Sequence, residues 1–177
     1  METVVEQSLL LPVLEEFRDE AAITRRVLER VPDGKLSWNP HAKSMTLGQL
    51  AWHVATTPGA LARLVQQEGF DVAQGNFVPP LPKSLEEILT AYEQSVRDAE
   101  QCLRGMTDER AKGPWRLERN GKEVFTKPRL SVMRTIMLNH WYHHRGQLTV
   151  YLRQVGAQVP SVYGPSADEQ PAFAATK

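Results

Sequence analysis

LNHWYHHRGQLTVYL, residues 138–152, sets three histidines into an apolar helical repeat, and its reading decides the fold. At about 100° per residue with His140 as zero, His144 lies about 40° away, Met133 and Tyr151 near ~20°, Met137 and Val155 near ~60°, and Leu148 near ~80°. His140 and His144 therefore belong to the stripe this helix buries. One turn apart, their Cβ atoms stand roughly 5–6 Å from each other, close enough for both rings to reach one ion. A single buried histidine is most simply a core residue with one hydrogen bond. Two on one stripe need partners for four ring nitrogens where a helix interior supplies few, and a metal ion takes one nitrogen from each. His143 falls about 60° to the other side of His140, a shoulder position that suits a hydrogen bond, a partner subunit or an acid–base group.

A third histidine comes from TLGQLAWHVA, residues 46–55. Thr46 and Gln49 form a capping box that opens a second helix, to about Gln67. In it Leu50, Thr57, Leu61 and Leu64 fall within about 80° of His53, so His53 is near a buried stripe too. His53, His140 and His144 make a three-imidazole set of the kind that holds catalytic zinc and also accepts nickel, iron(II) or manganese. The glutamate of an HExxH zinc-protease motif is missing, because Trp141 follows His140. Pro58 leaves two alternatives open: a bend just after His53, where the amide that would bond to Val54 is lost, or a new helix capped by Thr57. His41, in the loop beside Pro40, reads as a surface or end-packing residue.

Working outward, residues from about 6 to 31 read as a first helix carrying Leu10, Leu14, Phe17, Ala21 and Leu28 on one face. Ser84 and Glu87 open a third helix to about Leu103, with Leu85, Ile88, Tyr92, Val96 and Ala99 on its apolar side. The fourth runs from about Arg129 to Gln154. Residues 69–82 read as a loop. WRLERNGKEVF, residues 115–125, reads as a small hairpin turning at Asn120-Gly121 and lying over the helices as a flap rather than a sheet. The pattern is an all-α four-helix bundle, one domain over residues 1–162, followed by a flexible tail at 163–177.

Composition narrows the partners. The 177 residues carry 21 Lys+Arg against 21 Asp+Glu, so no global field recruits nucleic acid or an acidic membrane. The basic cluster of Lys112, Arg116, Arg119, Lys122, Lys127 and Arg129 is broken by Glu118 and Glu123 and reads as solvated surface. No run approaches the roughly 20 apolar residues of a membrane span. Cys102, the single cysteine, excludes a disulfide framework and a thiolate cluster. A reducing, cytoplasmic setting is the expectation.

Three neutral protein ligands leave open positions on an ion, for water or for a thiol held as thiolate. Cys102 reads as a core residue, so that thiol would arrive with a small cosubstrate. Arg145, about 140° from His140, is suited either to a bidentate anion contact with substrate or cosubstrate or to an interhelical ion pair. Tyr151, near the ligand azimuth, is a candidate for the cavity wall or the core. Gly146 suggests close approach by a helix or a subunit, and Gln147 a hydrogen bond behind a ligand. Trp115, Arg116 and Phe125 on the flap, with Trp52 and Trp141, are candidates for the rim of an apolar pocket.

TLGQLAWHVA together with NHWYHHRGQL resembles the DinB/YfiT-like superfamily, named for damage-inducible proteins. The resemblance covers about residues 8–160 and places the family's metal ligands at His53, His140 and His144, followed by Arg145, Gly146 and Gln147. It implies up-down-down-up topology, a central divalent metal, most often nickel or zinc, and a homodimer formed through helices. It also implies kinship with thiol-dependent transferases and isomerases. The leading expectation is thus a transferase using a low-molecular-weight thiol cosubstrate, with His143 or Arg145 orienting a carboxylate and Arg145 and Tyr151 contacting the cosubstrate. A metal-dependent hydrolase and a non-catalytic metal-binding or stress-response protein stay open as alternatives.

Overall fold

The computed structural model describes residues 8–170, so the part of the first expected helix before Ser8 and the last part of the tail lie outside it. Helix α1 spans Leu11–Leu28. Pro12 sits in its first turn, where a missing amide leaves no bond unmade. Helix α2 spans Leu47–Gln66 and begins with the full reciprocal box: Gln49 N–H donates to the Thr46 hydroxyl, and Thr46 N–H to the Gln49 side chain. Helix α3 spans Leu85–Gly105 behind Ser84, whose hydroxyl accepts from Glu87 N–H.

Helix α2 runs unbroken through Pro58, so no new helix starts at Thr57. The Val54 carbonyl, deprived of an amide by Pro58, accepts instead from the Trp141 indole at 2.8 Å. One residue on, Gly59 N–H donates to the Ser95 hydroxyl at 2.8 Å. A Cβ on Gly59 would lie 2.8 Å from the Ser95 Cα and carbonyl oxygen, so this glycine is what lets α2 and α3 touch at backbone distance.

Helix directions follow from these contacts. Gly59 meets Ser95, Arg63 meets Asp98 and Gln66 meets Cys102, so α2 and α3 run parallel. Arg18 with Glu100 and Arg25 with Glu93 set α1 antiparallel to α3. The last helix has three parts and follows a short helix and the hairpin. A short helix, α4, covers Asp108–Lys112. After the hairpin come α5 (Arg129–Val132), a π-helical stretch (Met133–Asn139) and α6 (His140–Gln154). Arg129 reaches the Val65 carbonyl and Trp141 the Val54 carbonyl, so this last helix runs opposite to α2. The result is up-down-down-up, the expected topology. Because α2 and α3 are parallel, residues 67–84 must carry the chain back along the bundle.

The hairpin is strand β2, Pro114–Arg119, paired with β3, Lys122–Pro128. It turns where expected, with Asn120 at φ 53° and Gly121 at φ 71°, the left-handed pair a two-residue hairpin turn requires. The loop expected over residues 69–82 is corrected at its start. Gly69–Asp71 forms strand β1, parallel to β2, with Phe70 opposite Leu117. The flap is therefore a three-stranded sheet. The Asp71 carboxylate accepts from Asn120 N–H at 3.0 Å and Gly121 N–H at 2.8 Å, tying the strand to the tip of the hairpin.

Arg129 corrects the reading of the basic cluster as solvated surface. It is 2% exposed. Its guanidinium donates to the carbonyls of Val65, Pro114 and Gln67 and to the Glu68 carboxylate. The carbonyls that end α2 have no helical donors, and a buried arginine supplies them. The start of the tail is also tied down. The Tyr163 hydroxyl meets Arg145 and donates to Glu20, and Asp168 pairs with Arg153. No helix among the described residues is long and apolar enough to cross a membrane.

Candidate metal centre

Two features deliver the histidines to one point. The Trp141–Val54 bond fixes the register of α6 against α2, and His53 and His140 each immediately precede one of those two residues. The π-helical stretch ends directly at His140; such stretches recur at functional sites because they re-aim the side chains that follow. His53 Nε2 lies 3.4 Å from His140 Nε2, and His140 Nε2 lies 2.7 Å from His144 Nε2. One ligand atom from each of the three lies within 4.8 Å of the others.

The other ring nitrogens decide what this point can hold. His144 Nδ1 is 2.8 Å from the Gln147 amide oxygen, so Nδ1 carries the proton and Nε2 presents a bare lone pair. His140 turns its Nε2 toward both of the other histidines. Across 2.7 Å, the His144 Nε2 lone pair either accepts an N–H from His140 Nε2 or shares a cation with it. Burial opposes protonation: it lowers the pKa of His140 and His144, and it takes that of His53 down to about 4, with the His144 and His140 charges adding to the effect. Three imidazoles kept neutral by burial, with the outer nitrogen of His144 engaged by Gln147, fit a divalent ion. The cluster is capable of coordinating one, with the ligand set expected from spacing.

The cluster forms part of the wall of a cavity of about 540 Å³ bounded by α2, the π-helical stretch, the sheet and the 72–80 loop. His53 and His140 line it, while His144 does not. Trp52, Phe70, Phe77 and Trp115 give it aromatic walls, and among the described residues no Asp, Glu, Lys or Arg lines it. Of the residues considered for the pocket rim, Trp52 and Trp115 are there. Arg116 and Phe125 are not among the lining residues, and Trp141 is fully buried, stacked on Phe17 at 5.6 Å between ring centroids.

The remaining candidates lie elsewhere. His143 is exposed, its ring 5.0 Å from that of His144. Arg145 is 1% exposed between α6 and α1. There it pairs with the Glu20 carboxylate at 2.6 Å, donates to Thr24 and lies between the rings of Tyr142 and Tyr163. Its contacts give it the interhelical ion pair rather than a place in the cavity. Tyr151 packs edge-on against Trp38 at the bundle end, and His41 is exposed. Gln147 takes the supporting hydrogen bond expected of it. Among the described residues nothing lies within 4 Å of where a Gly146 side chain would begin, so none of the described helices packs against it there. Sequence reasoning missed the aromatic roof from Phe70 and Phe77, for which their place between two prolines and a strand gave no periodic signal.

Comparison with known proteins agrees with this geometry. Residues 4–172 match the model of the DinB family. An uncharacterized protein of Bacillus subtilis (strain 168), YrdA, is 29% identical over 161 residues, spanning 90% of this chain and 91% of its own. A DinB-like protein from Bacillus cereus superposes with a TM-score of 0.67 at 27% identity, over 85% of this chain and 95% of that one. The fold is shared also by a DinB-like protein, YjoA, from Bacillus subtilis, with a TM-score of 0.63 at 18% identity over 90% and 99% of the two chains.

Proposed function

This chain belongs to the DinB family, and from that premise we propose that it is a metal-dependent transferase joining a low-molecular-weight thiol to an electrophile at its three-histidine cluster. The observation that carries the reading is the position of the cluster between two unlike environments: His53 and His140 face a roomy uncharged cavity, and His144 faces away toward exposed His143 and Gln147. His53, His140 and His144 would hold the ion, nickel or zinc by the family resemblance, with iron(II) or manganese also compatible with imidazole. When bound, such an ion supplies a Lewis acid that favours thiolate over thiol.

The chain's own residues do the rest. Gln147 fixes the His144 tautomer that leaves its Nε2 free to bind. The cavity excludes water from the electrophile and holds it beside the histidines. His143, exposed beside His144, is assigned to a carboxylate of the thiol's carrier. In the transfer the thiol proton leaves to solvent, a carbon–sulfur bond forms, and the leaving group departs with its electron pair. Arg145 acts as a positioning residue through the α1–α6 contact. The hydrolase alternative would need a general base beside the ion; among the described residues lining the cavity no carboxylate or lysine offers one, and His143, beside His144, is the base it would have to use.

We assign the protein further to the cytoplasm and to a homodimer. The open face around Gly146, with Val150 56% exposed one turn on, is a surface that suits a second copy. The test is elemental analysis of the native protein and of a His53→Ala, His140→Ala double variant, followed by turnover assays with a panel of small thiols. Near-stoichiometric metal, lost in the variant, with thiol-dependent turnover supports the reading. A native protein that stays metal-free after incubation with zinc, nickel, manganese and anaerobic iron(II) sinks it.

A further inference from the structure

We infer that the cavity beside the histidines is a binding site for an uncharged aromatic molecule of drug-like size, and that its walls away from the histidines reject an anionic group. This deepens the transferase reading and rests on it in one respect only: there the molecule is the electrophile.

Size comes first. About 540 Å³ falls within the range of cavities that enclose a drug-sized ligand. Chemistry follows from the lining. Aromatic side chains come from three separate pieces of chain: Trp52 from α2, Phe70 and Trp115 from the sheet, and Phe77 from the returning loop. Flat faces and edges in several orientations favour an aromatic guest. Away from His53 and His140, no cationic side chain among the described residues lines the cavity, so an anionic group carried there would lose its hydration without replacement.

The few polar groups point the same way. The Thr56 hydroxyl donates to the Trp52 carbonyl at 2.9 Å and the Thr57 hydroxyl to the His53 carbonyl at 2.6 Å. Their hydrogens are spent inside α2, so both present acceptor lone pairs to the cavity, which repel an anion and tolerate a neutral donor. Above them, Phe77 and Val78 are 67% and 73% exposed while still lining the cavity, so the roof is apolar on both of its sides. Apolar groups at an opening favour entry of an apolar guest from water. A thiol's charged carrier finds no place in this cavity, which leaves it the side of His144 that the cavity does not reach.

The experiment uses two fluorescent probes of one skeleton, neutral N-phenylnaphthylamine and anionic anilinonaphthalene sulfonate, titrated into the full-length protein with metal content measured on the same samples. The neutral probe is expected to saturate a single site, and the sulfonate to bind at least about tenfold more weakly. Ala60→Trp, which fills the cavity from an exposed position on α2, is expected to weaken the neutral probe roughly tenfold or more while leaving metal content unchanged. Intermolecular NOEs from the neutral probe to the Trp52 and Trp115 indoles in the unsubstituted protein give the same answer should the variant fail to fold. Equal or tighter binding of the sulfonate overturns the inference, as does an unchanged neutral affinity in a folded Ala60→Trp, absence of neutral binding, or NOEs to other residues. Metal binding without probe binding refutes this inference alone; probe binding without metal refutes the transferase reading alone.

Discussion

The Trp141 indole donates to the Val54 carbonyl across 2.8 Å, and that carbonyl is the one Pro58 leaves without a helical amide. A defect in one helix thereby becomes the docking point of another. Trp141→Phe keeps most of the packing against Phe17 but strands a buried acceptor, at a cost of about 1–3 kcal/mol. Pro58→Ala restores an amide within reach of Val54, so in its background the Trp141→Phe penalty is expected to shrink. Urea unfolding of the two single variants and the double variant reads the coupling; strict additivity would show that the two sites are independent.

Arg145 and Glu20 form an ion pair in which both side chains are largely buried. Arg145→Met leaves the Glu20 carboxylate without its partner and is expected to lower stability by about 3–5 kcal/mol. Metal stoichiometry under native conditions should be unaffected, because Arg145 does not touch the cluster. A fully stable variant that loses affinity for an anionic thiol would instead assign Arg145 to the cosubstrate.

Burial pushes the pKa of His53 from 6.5 down to about 4, with lesser contributions from His144 and His140, and the pKa values of His140 and His144 are also lowered. In metal-free protein, the unfolded chain therefore takes up protons below about pH 6.5 that the folded chain refuses. The contribution is complete above pH 6.5 and declines as pH falls through the window down to about 4. Denaturant midpoints of the metal-free protein should drop across that window, and the His53→Ala variant should show a shallower drop. Equal slopes in the two proteins would place the titration elsewhere.

Asp71 joins β1 to the hairpin tip, and its bonds from Gly121, Ala73 and Asn120 hold its pKa below the usual carboxylate value. A depressed folded pKa means that the anchor is intact above the unfolded value and weakens as pH falls through the folded one. Asp71→Ala is expected to raise amide exchange at Asn120 and Gly121 with little change at α1. Exchange confined to background levels would show that the turn holds without the carboxylate.

Much of this molecule was legible because its signals are local. The Thr46–Gln49 box, the Asn120-Gly121 turn and the one-turn spacing of His140 and His144 are each set by a few consecutive residues. What escaped reading is set at long range. Strand β1 has three residues, too few for an alternation, and exists because β2 lies beside it more than forty residues later, as Phe70 opposite Leu117 records. Arg129 looked like one more surface cation; it is buried because α2 ends beside it with unpaired carbonyls. The π-helical stretch before His140 leaves the apolar pattern intact, since Met133 and Met137 stay buried, so nothing in the spacing announces it.

Two adjacent helices that run the same way cannot be joined by a tight turn. With α2 twenty residues long, and so about 30 Å end to end, the connection over residues 67–84 has to span the bundle before α3 can start. That obligatory return is also the ceiling over the guest. A segment whose existence is demanded by connectivity, but whose side chains support little of the helical core, is free to diversify. Substitutions along this one strap can therefore reshape the cavity wall while leaving the helices and the three histidines in place.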